Sequence, residues 1–488
     1  MYCQAAFRFA DKGVKNYYAM LLPPSDVCPG AGQFAVLEDE LPKQLLATDL
    51  MDLKYLKNQA LAPKVTLLSQ AEFLSALRGE SSHKFAHDIQ LVVPHMYDNV
   101  GLTTWRTLMA DTLGLPVVGP PGSANVLAQD KAACRAVLKK LTITSDNEKR
   151  NRIVPPGFTV KRGEIVNKDG CVSDEVVARL MARVRADAGG FPVMLKSPLE
   201  DNSRGVRLLG RQCLPGQPTI QSSASAKAKL NAELAQELKA KVLEMLSIGD
   251  TLLFEQFVPG REFRSGVVEL RNPHGLDAYR HSSVKTKVAD IGASDNATQV
   301  HGIPTMVEYV INPKMPIRTA IDKITTDNRG QLVLTKGSRH FVSCDPRVHA
   351  TPDPKTGKIA PQLDVNNVDQ TVYPVSEKLQ REIEAMVCAA HKALGCRDYS
   401  LFDIRVDAVS GRPYILECCA FWSMCPISVL TSLLANSGID YKRVILDLWR
   451  ERALTADAAK NRTILFKSKM YPPPLPTSPS VLVSQCAC

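Results

Sequence analysis

The segment 399–417 constrains the fold of this chain more than any other. An alternating, largely apolar run over 399–407 contains Asp403, and after a turn centred on Gly411 a second apolar run ends at Glu417. Alternation with a period of two predicts strands, and two strands joined by a glycine-centred turn predict a hairpin. The hairpin brings two carboxylates to neighbouring positions, where they could hold Mg²⁺ beside nucleotide phosphates. Solvated acids on the polar face of a hairpin are the open alternative.

A cation lies at the end of an apolar run further upstream. Residues 190–196 are mainly apolar and end in Lys196, which predicts a buried strand with a charge at its end. A buried lysine is costly unless an anion meets it. The polar loop 197–205 follows, so its backbone N–H groups, the Ser203 hydroxyl and the Arg204 guanidinium could surround a triphosphate. An ordinary hairpin turn is the alternative for this loop.

The next strand suits an adenine ring. Residues 251–258 are apolar with a polar interruption at Glu255, and a turn leads from them into a further strand that contains Glu262. Adenine is apolar on its faces and forms hydrogen bonds at its edge, so a strand end beside apolar side chains can hold it. Glu255 would then bond the exocyclic amine and Glu262 a ribose hydroxyl, unless both are simply solvated.

Composition indicates an ordinary globular protein, with 45% hydrophobic and 23% charged residues. A chain of 488 residues is too long for one core and should divide into two or three units. The 13 scattered cysteines predict reduced thiols. Without an apolar run of about 18 residues or a secretory signal, we expect no membrane span and a cytoplasmic protein.

The net charge of +10 does not indicate a nucleic-acid partner. The basic residues are dispersed, and aromatic residues make up only 6% of the chain. Proteins that bind single-stranded nucleic acid interleave basic and aromatic residues along one surface. We therefore expect no nucleic acid among the partners.

Local patterns predict the order of the elements. Two strands and the helix between them predict a parallel α/β unit. Residues 142–155 are predicted to form a linker or loop. In the region 271–370 the apolar runs are short and interrupted, so they predict helices and strands only weakly. The predicted pieces are strands at 90–94 and 116–119, helices at 102–113, 123–140, 224–246 and 376–394, and an extended or disordered tail from 461. Lys131 is expected early in its helix and Ser376 as a helix cap.

The order of these motifs resembles the ATP-grasp superfamily, most closely its D-alanine–D-alanine ligase branch, over about residues 90–450. The pieces that carry the resemblance are residues 115–119 leading into Asp130-Lys131, the segment Val258-Pro-Gly-Arg-Glu262, and residues 395–403 with Leu416-Glu417. The resemblance implies a mixed α/β and α+β fold, in which an N-terminal parallel α/β domain precedes a two-subdomain ATP-grasp fold. The implied domains are 1–122, 123–258 with the lid loop, 259–460 with the metal site, and a tail at 461–488.

The resemblance also implies the chemistry. Members of the superfamily use ATP and Mg²⁺, or Mn²⁺ in its place, to phosphorylate a carboxylate, and an amine then attacks the acylphosphate. We therefore expect an ATP-dependent ligase that joins a small carboxylic acid or amino acid to an amine, with a homodimer left open. By similarity, the residues at ATP are Lys131, Lys196, Ser203, Gly205, Glu255, Gln256, Val258 and Glu262, and the metal ligands are Asp403, Glu417 and the residue at position 419.

The chain departs from the branch at several functional positions. Leu401 stands where the branch has an arginine, and Arg405, on the same strand face, is the candidate to replace it. Cys419 stands at the position of a metal-binding asparagine, and a soft thiol is a poor magnesium ligand. Lys285, or equally Lys287, falls near the mobile lid lysine of the family.

Other departures concern the substrate. Ser428 falls where the branch has a serine that meets the carboxylate of the second substrate. Residues 421–423, Phe-Trp-Ser, replace the Pro-Gly turn of the family, and the glycine-rich first-substrate loop is not recognisable. We therefore expect a substrate unlike D-alanine.

Two other hypotheses remain open. One is a catalytically impaired, ligase-like nucleotide-binding protein with a regulatory or scaffolding role, which Leu401 and Cys419 favour. The other is a metal site made of Cys418, Cys419 and Cys425. Adjacent cysteines on a strand point to opposite faces, which argues against the thiol site.

Overall fold

The computed structural model describes residues 17–22, 33–38, 65–78, 80, 82, 90–94, 106–144, 150–200, 205–214, 223–271, 275–280, 299–309, 316–317, 325–326, 332–333, 341–343, 375–420 and 429–454. Within these residues, no helix is both long and apolar enough to cross a membrane.

The described residues form both strands and helices. The strands are β1 Tyr17–Leu22, β2 Gln33–Glu38, β3 Val65–Leu68, β4 Thr142–Thr144, β5 Arg150–Arg152, β6 Gly157–Lys161, β7 Val193–Lys196, β8 Val206–Leu209, β9 Thr251–Gln256, β10 Gly260–Leu270, β11 Gln299–Gly302, β12 Val307–Tyr309, β13 Thr325–Thr326, β14 Leu332–Val333, β15 Phe341–Ser343, β16 Tyr399–Asp407 and β17 Pro413–Cys419. The α-helices are α1 Gln70–Leu77, α2 Gly122–Gln129, α3 Lys131–Leu138, α4 Arg162–Ile165, α5 Asp174–Asp187, α6 Ala224–Leu246, α7 Glu377–Ala393 and α8 Val429–Asn436. Residues 441–454 are also helical.

A four-stranded antiparallel sheet, the small sheet, has the order β6-β9-β7-β8. Helices α5 and α6 contribute apolar side chains to one core with its strands. The apolar positions Leu234, Leu238, Val242 and Met245 of α6 recur every three or four residues, so they lie on one face. Complete burial of such a side chain stabilises the fold by about 1.5–3 kcal/mol. The predicted helix 224–246 is therefore confirmed, and its stability comes mainly from this packing.

The large sheet follows in the chain. Its antiparallel strands have the order β15-β12-β10-β16-β17, with β11 added to part of β10. The predicted hairpin is confirmed, because β16 pairs with β17 and Asp403 lies opposite Glu417. Helix α7 packs its apolar face into the core of this sheet, and Ser376 caps it by accepting a hydrogen bond from the Leu379 N–H group.

The N-terminal region combines parallel and antiparallel pairing. The predicted parallel pairing is present as one bridge between Val92 and Val117. The sequence did not predict the antiparallel sheet β1-β2-β3, on which α1 packs. The predicted helix at 102–113 is described from 106 onward, and it contains a π-helical turn at Leu108–Thr112.

Two predictions around residues 123–155 were wrong in detail. The single helix predicted for 123–140 is two helices, because Asp130 adopts an extended conformation between them. The Asp130 carboxylate accepts hydrogen bonds from the Ala132 and Ala133 N–H groups, which caps α3 and makes Lys131 its first residue. The predicted linker 142–155 contains the short antiparallel pair β4 and β5. Polar residues there pair through their backbones, which side-chain composition does not reveal.

Several predictions lie mostly or wholly outside the described residues. These are the tail from 461, residues 421–428, the segments around Lys285 and Lys287, and most of the region 271–370. The proposed domain boundaries stay predictions. The chain passes from the small sheet to the large sheet between Gln256 and Gly260.

Candidate functional site

A cavity lies between the small sheet and the large sheet. Both sheets, the start of α3 and Ile317 contribute side chains to it. Its lining residues are Lys131, Met194, Lys196, Val206, Glu255, Gln256, Phe257, Val258, Glu262, Ile317, Asp403, Arg405, Leu416 and Glu417. The lining thus combines apolar surface with buried groups of both charges.

The small-sheet wall of the cavity carries an ion pair between Lys196 and Glu255. These residues lie diagonally across β7 and β9, because Met194 is directly opposite Glu255 in the ladder. Lys196 donates a hydrogen bond to Glu255, and both side chains are buried. Arg135 of α3 places its Nε 3.7 Å from a Glu255 oxygen. Burial lowers the pKa of Arg135, and Glu255 offsets part of that effect. Glu255 therefore has two cationic neighbours.

Lys131 connects α3 to the loop after β7 and to the large sheet. Its Nζ donates to the Glu200 carbonyl at 2.7 Å and lies 3.5 Å from a Glu417 oxygen. Its backbone N–H group donates to the Pro198 carbonyl. The N-terminus of α3 therefore holds the first part of the loop beside the cavity.

The other end of this loop depends on a glycine. Gly205 has a φ of +61°, and its carbonyl accepts a hydrogen bond from the Ser197 N–H group. A Cβ atom at Gly205 would lie 3.0 Å from the Ser197 Cβ. A side chain here is disfavoured both by the left-handed backbone and by this contact.

The large-sheet wall pairs its charges directly across neighbouring strands. Arg264 is opposite Asp403, and Glu262 is opposite Arg405, in the β10–β16 ladder. The Nε and NH2 groups of Arg264 donate to the two oxygens of Asp403, the second bond at 2.6 Å. Arg405 donates to Glu262 at 3.1 Å and to the Val258 carbonyl at 3.0 Å.

The β16–β17 hairpin contains an irregularity at the cavity. The register shifts between Asp403 and Ile404, so that Glu417 pairs with Asp403 while Ile415 pairs with Ile404. Leu416 is the extra residue on β17, and both it and Glu417 line the cavity. The bulge therefore supplies an apolar contact and a carboxylate from consecutive residues.

Magnesium does not fit this arrangement at Asp403. Mg²⁺ prefers several oxygen ligands in near-octahedral geometry, whereas both Asp403 oxygens accept hydrogen bonds from Arg264. The Cys419 Sγ lies 3.8 Å from a Glu417 oxygen and offers sulfur rather than oxygen. Among the described residues, no three or more His, Cys, Asp or Glu side chains form a group suited to a metal ion.

Most predicted site residues lie around the same cavity. Lys131, Lys196, Glu255, Gln256, Val258, Glu262, Asp403, Arg405 and Glu417 line it. Gly205 lies at the end of the adjoining loop, and Cys419 follows on β17. Ser203, Lys285 and Ser428 lie outside the described residues. Leu401 is buried in an apolar cluster beside α8. The functional assignments themselves stay predictions.

Sequence reasoning missed two charged residues, Arg264 and Arg135. Arg264 follows Glu262 by two positions in a strand, so the strand period already placed both on one face. Arg135 follows Lys131 by four positions in a helix and shares its face. These spacings identify the faces, but the carboxylate partners become visible only in the folded chain.

Comparison with known proteins finds similarity to D-alanine–D-alanine ligases. A family model described as the D-ala D-ala ligase C-terminus matches residues 364–450. The D-alanine–D-alanine ligase of Polynucleobacter asymbioticus is 30% identical over 96 residues, which are 19% of this chain and 28% of the relative. That of Albidiferax ferrireducens is 28% identical over 95 residues, with the same shares of 19% and 28%. The chain thus matches 28% of the length of each of these curated relatives.

Solved structures of such ligases are more distant in sequence. The VanG D-Ala:D-Ser ligase from Enterococcus faecalis is 14% identical, with a TM-score of 0.47 over 86% of this chain and 85% of that one. The D-alanine–D-alanine ligase from Coxiella burnetii is 13% identical, with a TM-score of 0.46 over 90% and 86%. The chain resembles the D-alanine–D-alanine ligase branch of the ATP-grasp superfamily, and its C-terminal part carries the direct sequence match.

Proposed function

We propose that the cavity binds ATP and that the chain is an ATP-dependent carboxylate–amine ligase, which forms an amide or peptide bond through an acylphosphate. The observation that carries this proposal is that Lys131 and Lys196 meet the β9 strand end and the carboxylates of the β16–β17 hairpin in one cavity. An anionic phosphate chain needs cations, and an adenine ring needs an apolar slot with polar groups at its edge.

The strand end after β9 is the proposed adenosine subsite. Met194, Val206, Phe257, Ile317 and Leu416 supply apolar surface at the cavity. Glu255, Gln256 and Val258 would lie along the edge of the base, and Glu262 would meet the ribose. Arg405 supports this wall, because it links Glu262 to the Val258 carbonyl and also donates to the Pro316 carbonyl at 2.7 Å.

The phosphates would meet the two lysines and the loop. Lys196 would exchange its contact with Glu255 for a phosphate oxygen, and Arg135 would remain beside Glu255 to compensate its charge. Lys131 would reach the phosphates from the start of α3. Ser203 and Gly205 of the loop, and Lys285 as a mobile cation, complete the proposed set of phosphate contacts.

Phosphorylation would give the substrate carboxylate a good leaving group. An unmodified carboxylate is a poor electrophile, because its negative charge repels nucleophiles and its oxygens leave badly. The positive side chains at the cavity would stabilise the charge that develops on the transferred phosphoryl group. The attacking amine would then displace phosphate, and Ser428 would meet the second substrate. Because 421–423 depart from the family turn, we propose a substrate unlike D-alanine.

A second candidate function is nucleotide binding without ligation, in a regulatory or scaffolding protein. The bidentate contact between Arg264 and Asp403 favours it, because a metal ligand of active relatives would be engaged by a protein side chain. Leu401 in place of the family arginine favours it as well. The two hypotheses predict the same nucleotide affinity and different turnover.

The discriminating experiment measures ADP release by the full chain. ATP is supplied with pools of amino acids, small carboxylic acids and amines, and with D-alanine alone as a separate arm. The ligase hypothesis predicts ADP release that requires both an acid and an amine, with none from D-alanine alone. Nucleotide binding without ADP release from any pool would favour the second candidate, and absence of nucleotide binding would contradict both.

A thiol-reducing, ATP-rich compartment suits the proposed enzyme, and we propose the cytoplasm. The described cysteines are Cys134, Cys171, Cys213, Cys388, Cys396, Cys418 and Cys419, and all are free thiols. The proposed partners are ATP, the acid and the amine.

A further inference from the structure

Arg264 occupies a position that sequence motifs did not assign. It lies directly opposite Asp403 in the β10–β16 ladder, and both side chains are buried. Two positions to either side of this pair, the ladder keeps the same register: Glu262 pairs with Arg405, and Gly266 pairs with Leu401. The contact therefore follows from the backbone pairing of two central strands, and no loop is required to hold it.

The contact engages both oxygens of the carboxylate. The Nε and NH2 groups of a guanidinium form a planar fork that matches a carboxylate, and here each group donates to a different Asp403 oxygen. A guanidinium remains protonated in folded proteins throughout the ordinary pH range. Arg264 is therefore a permanent positive charge.

A divalent ion at Asp403 would have to lie beside this guanidinium. Two cations that share one carboxylate repel each other, and the repulsion is strong in a buried site, where little water screens it. The neighbouring position 419 adds a thiol, whereas magnesium prefers oxygen. The charge of Arg264 and the thiol at position 419 therefore both disfavour a magnesium ion at Asp403.

We infer that the Arg264 guanidinium is the resident cation at Asp403 and takes the place of a divalent ion there. The cavity would then meet nucleotide phosphates with Lys131 and Lys196, while Arg264 balances the charge of Asp403 without lining the cavity itself. Nucleotide affinity would then depend little on Mg²⁺. The expectation for nucleotide affinity rests on the proposed nucleotide function, whereas the assignment of Arg264 as the cation at Asp403 concerns the protein alone.

The first test titrates the full chain with Mn²⁺ in the absence of nucleotide and follows the free ion by electron paramagnetic resonance. We expect the wild type to show no tight Mn²⁺ site that depends on Asp403. The variant Arg264→Met should gain a site at least about tenfold tighter, because it leaves a buried carboxylate without its cation. Arg381→Met is the control, since it makes the same substitution at an arginine whose partner, Glu377, is exposed to solvent. It should bind Mn²⁺ as the wild type does.

The outcome that would overturn the inference is tight Mn²⁺ binding by the wild type that Asp403→Asn removes. Should Arg264→Met fold poorly, its thermal unfolding with and without Mn²⁺ takes the place of the titration. We expect Mn²⁺ to raise the unfolding temperature of this variant and not that of the Arg381→Met control. Equal responses of the two variants would contradict the inference.

The second test measures ADP affinity by calorimetry with excess Mg²⁺ and with EDTA. We expect the two dissociation constants of the wild type to agree within about threefold, and those of Arg264→Met to differ by about tenfold or more. A strong Mg²⁺ requirement in the wild type would overturn the inference. Absence of ADP binding under both conditions would instead contradict the proposed function and leave the Mn²⁺ titration to decide the role of Arg264.

Discussion

On the small-sheet wall Lys196 meets Glu255 diagonally across two strands, whereas on the large-sheet wall each arginine lies directly opposite its carboxylate. A lysine carries one compact charge on a flexible stem, so it can leave a carboxylate for a phosphate. A guanidinium with two parallel hydrogen bonds to one carboxylate is fixed in distance and direction. The comparison indicates that the small-sheet wall can rearrange around a ligand, while the large-sheet wall is set by the fold.

The largest expected effect concerns the stability of the two walls. Arg264→Met should lower the free energy of unfolding by about 3–5 kcal/mol, because it removes the opposite charge and both hydrogen bonds that Arg264 supplies to the buried Asp403. Lys196→Met should cost only about 1–3 kcal/mol, since Arg135 remains near Glu255. Urea titration of both variants measures the difference.

The paired replacement sharpens this test. The double variant Arg264→Met/Asp403→Leu should recover most of the stability that Arg264→Met loses, because no buried charge stays unpaired. Equal losses for Arg264→Met and Lys196→Met would show that the two walls do not differ in the way proposed.

The next effect concerns catalysis. Lys196→Ala and Glu417→Gln should each lower ADP formation by at least about a hundredfold while leaving the fold intact, as when a group that stabilises developing charge is removed. Steady-state ADP formation with an active acid and amine measures it. Lys239→Ala is the control, because Lys239 pairs with the exposed Asp174 on the surface of the small-sheet unit. Full activity of either site variant would mean that the phosphate site lies elsewhere.

A smaller effect concerns the loop that joins β7 to β8. Gly205→Ala should destabilise the protein by about 1–2 kcal/mol, because an alanine is strained at a φ of +61°. Gly163→Ala is the control, since its added Cβ would meet nothing within 4 Å. Thermal unfolding of the two variants should separate them, and an unchanged Gly205→Ala would argue that the loop relaxes without cost.

The last comparison concerns a buried and an exposed thiol, those of Cys134 and Cys171. Burial, followed by the neighbouring Cys396 and Glu417, raises the pKa of Cys134 to about 12, whereas Cys171 is exposed. At neutral pH the thiolate is the reactive form, so iodoacetamide should modify Cys134 at least about a hundredfold more slowly than Cys171. At pH 9 the reaction of Cys134 should still be slow, because its pKa of about 12 keeps the thiol protonated there. Peptide mapping by mass spectrometry resolves the two sites, and similar rates would contradict the burial of Cys134.

Local patterns predicted much of the fold. The period of α6, the serine cap of α7, and the glycine-centred turn between β16 and β17 all act over a few residues, so they can be read from the chain. The break at Asp130 was missed, because an aspartate inside a helical pattern is compatible with either a helix interior or a cap. The backbone pairing of β4 with β5 was missed because each strand is only three residues long, which is too short for a strand period to be recognised.

The sequence by itself determined which residues lie on which strand or helix face, including the faces that bear Lys131, Lys196, Asp403 and Glu417. Only the tertiary structure decided that Asp403 meets Arg264 and that Glu255 meets Lys196. The physical reason is that periodicity and capping depend on neighbours in the chain, whereas the partner of a buried charge depends on the register of strands that are distant in sequence. Residues 264 and 403 are 139 positions apart, and their contact exists only because β10 and β16 pair in one register.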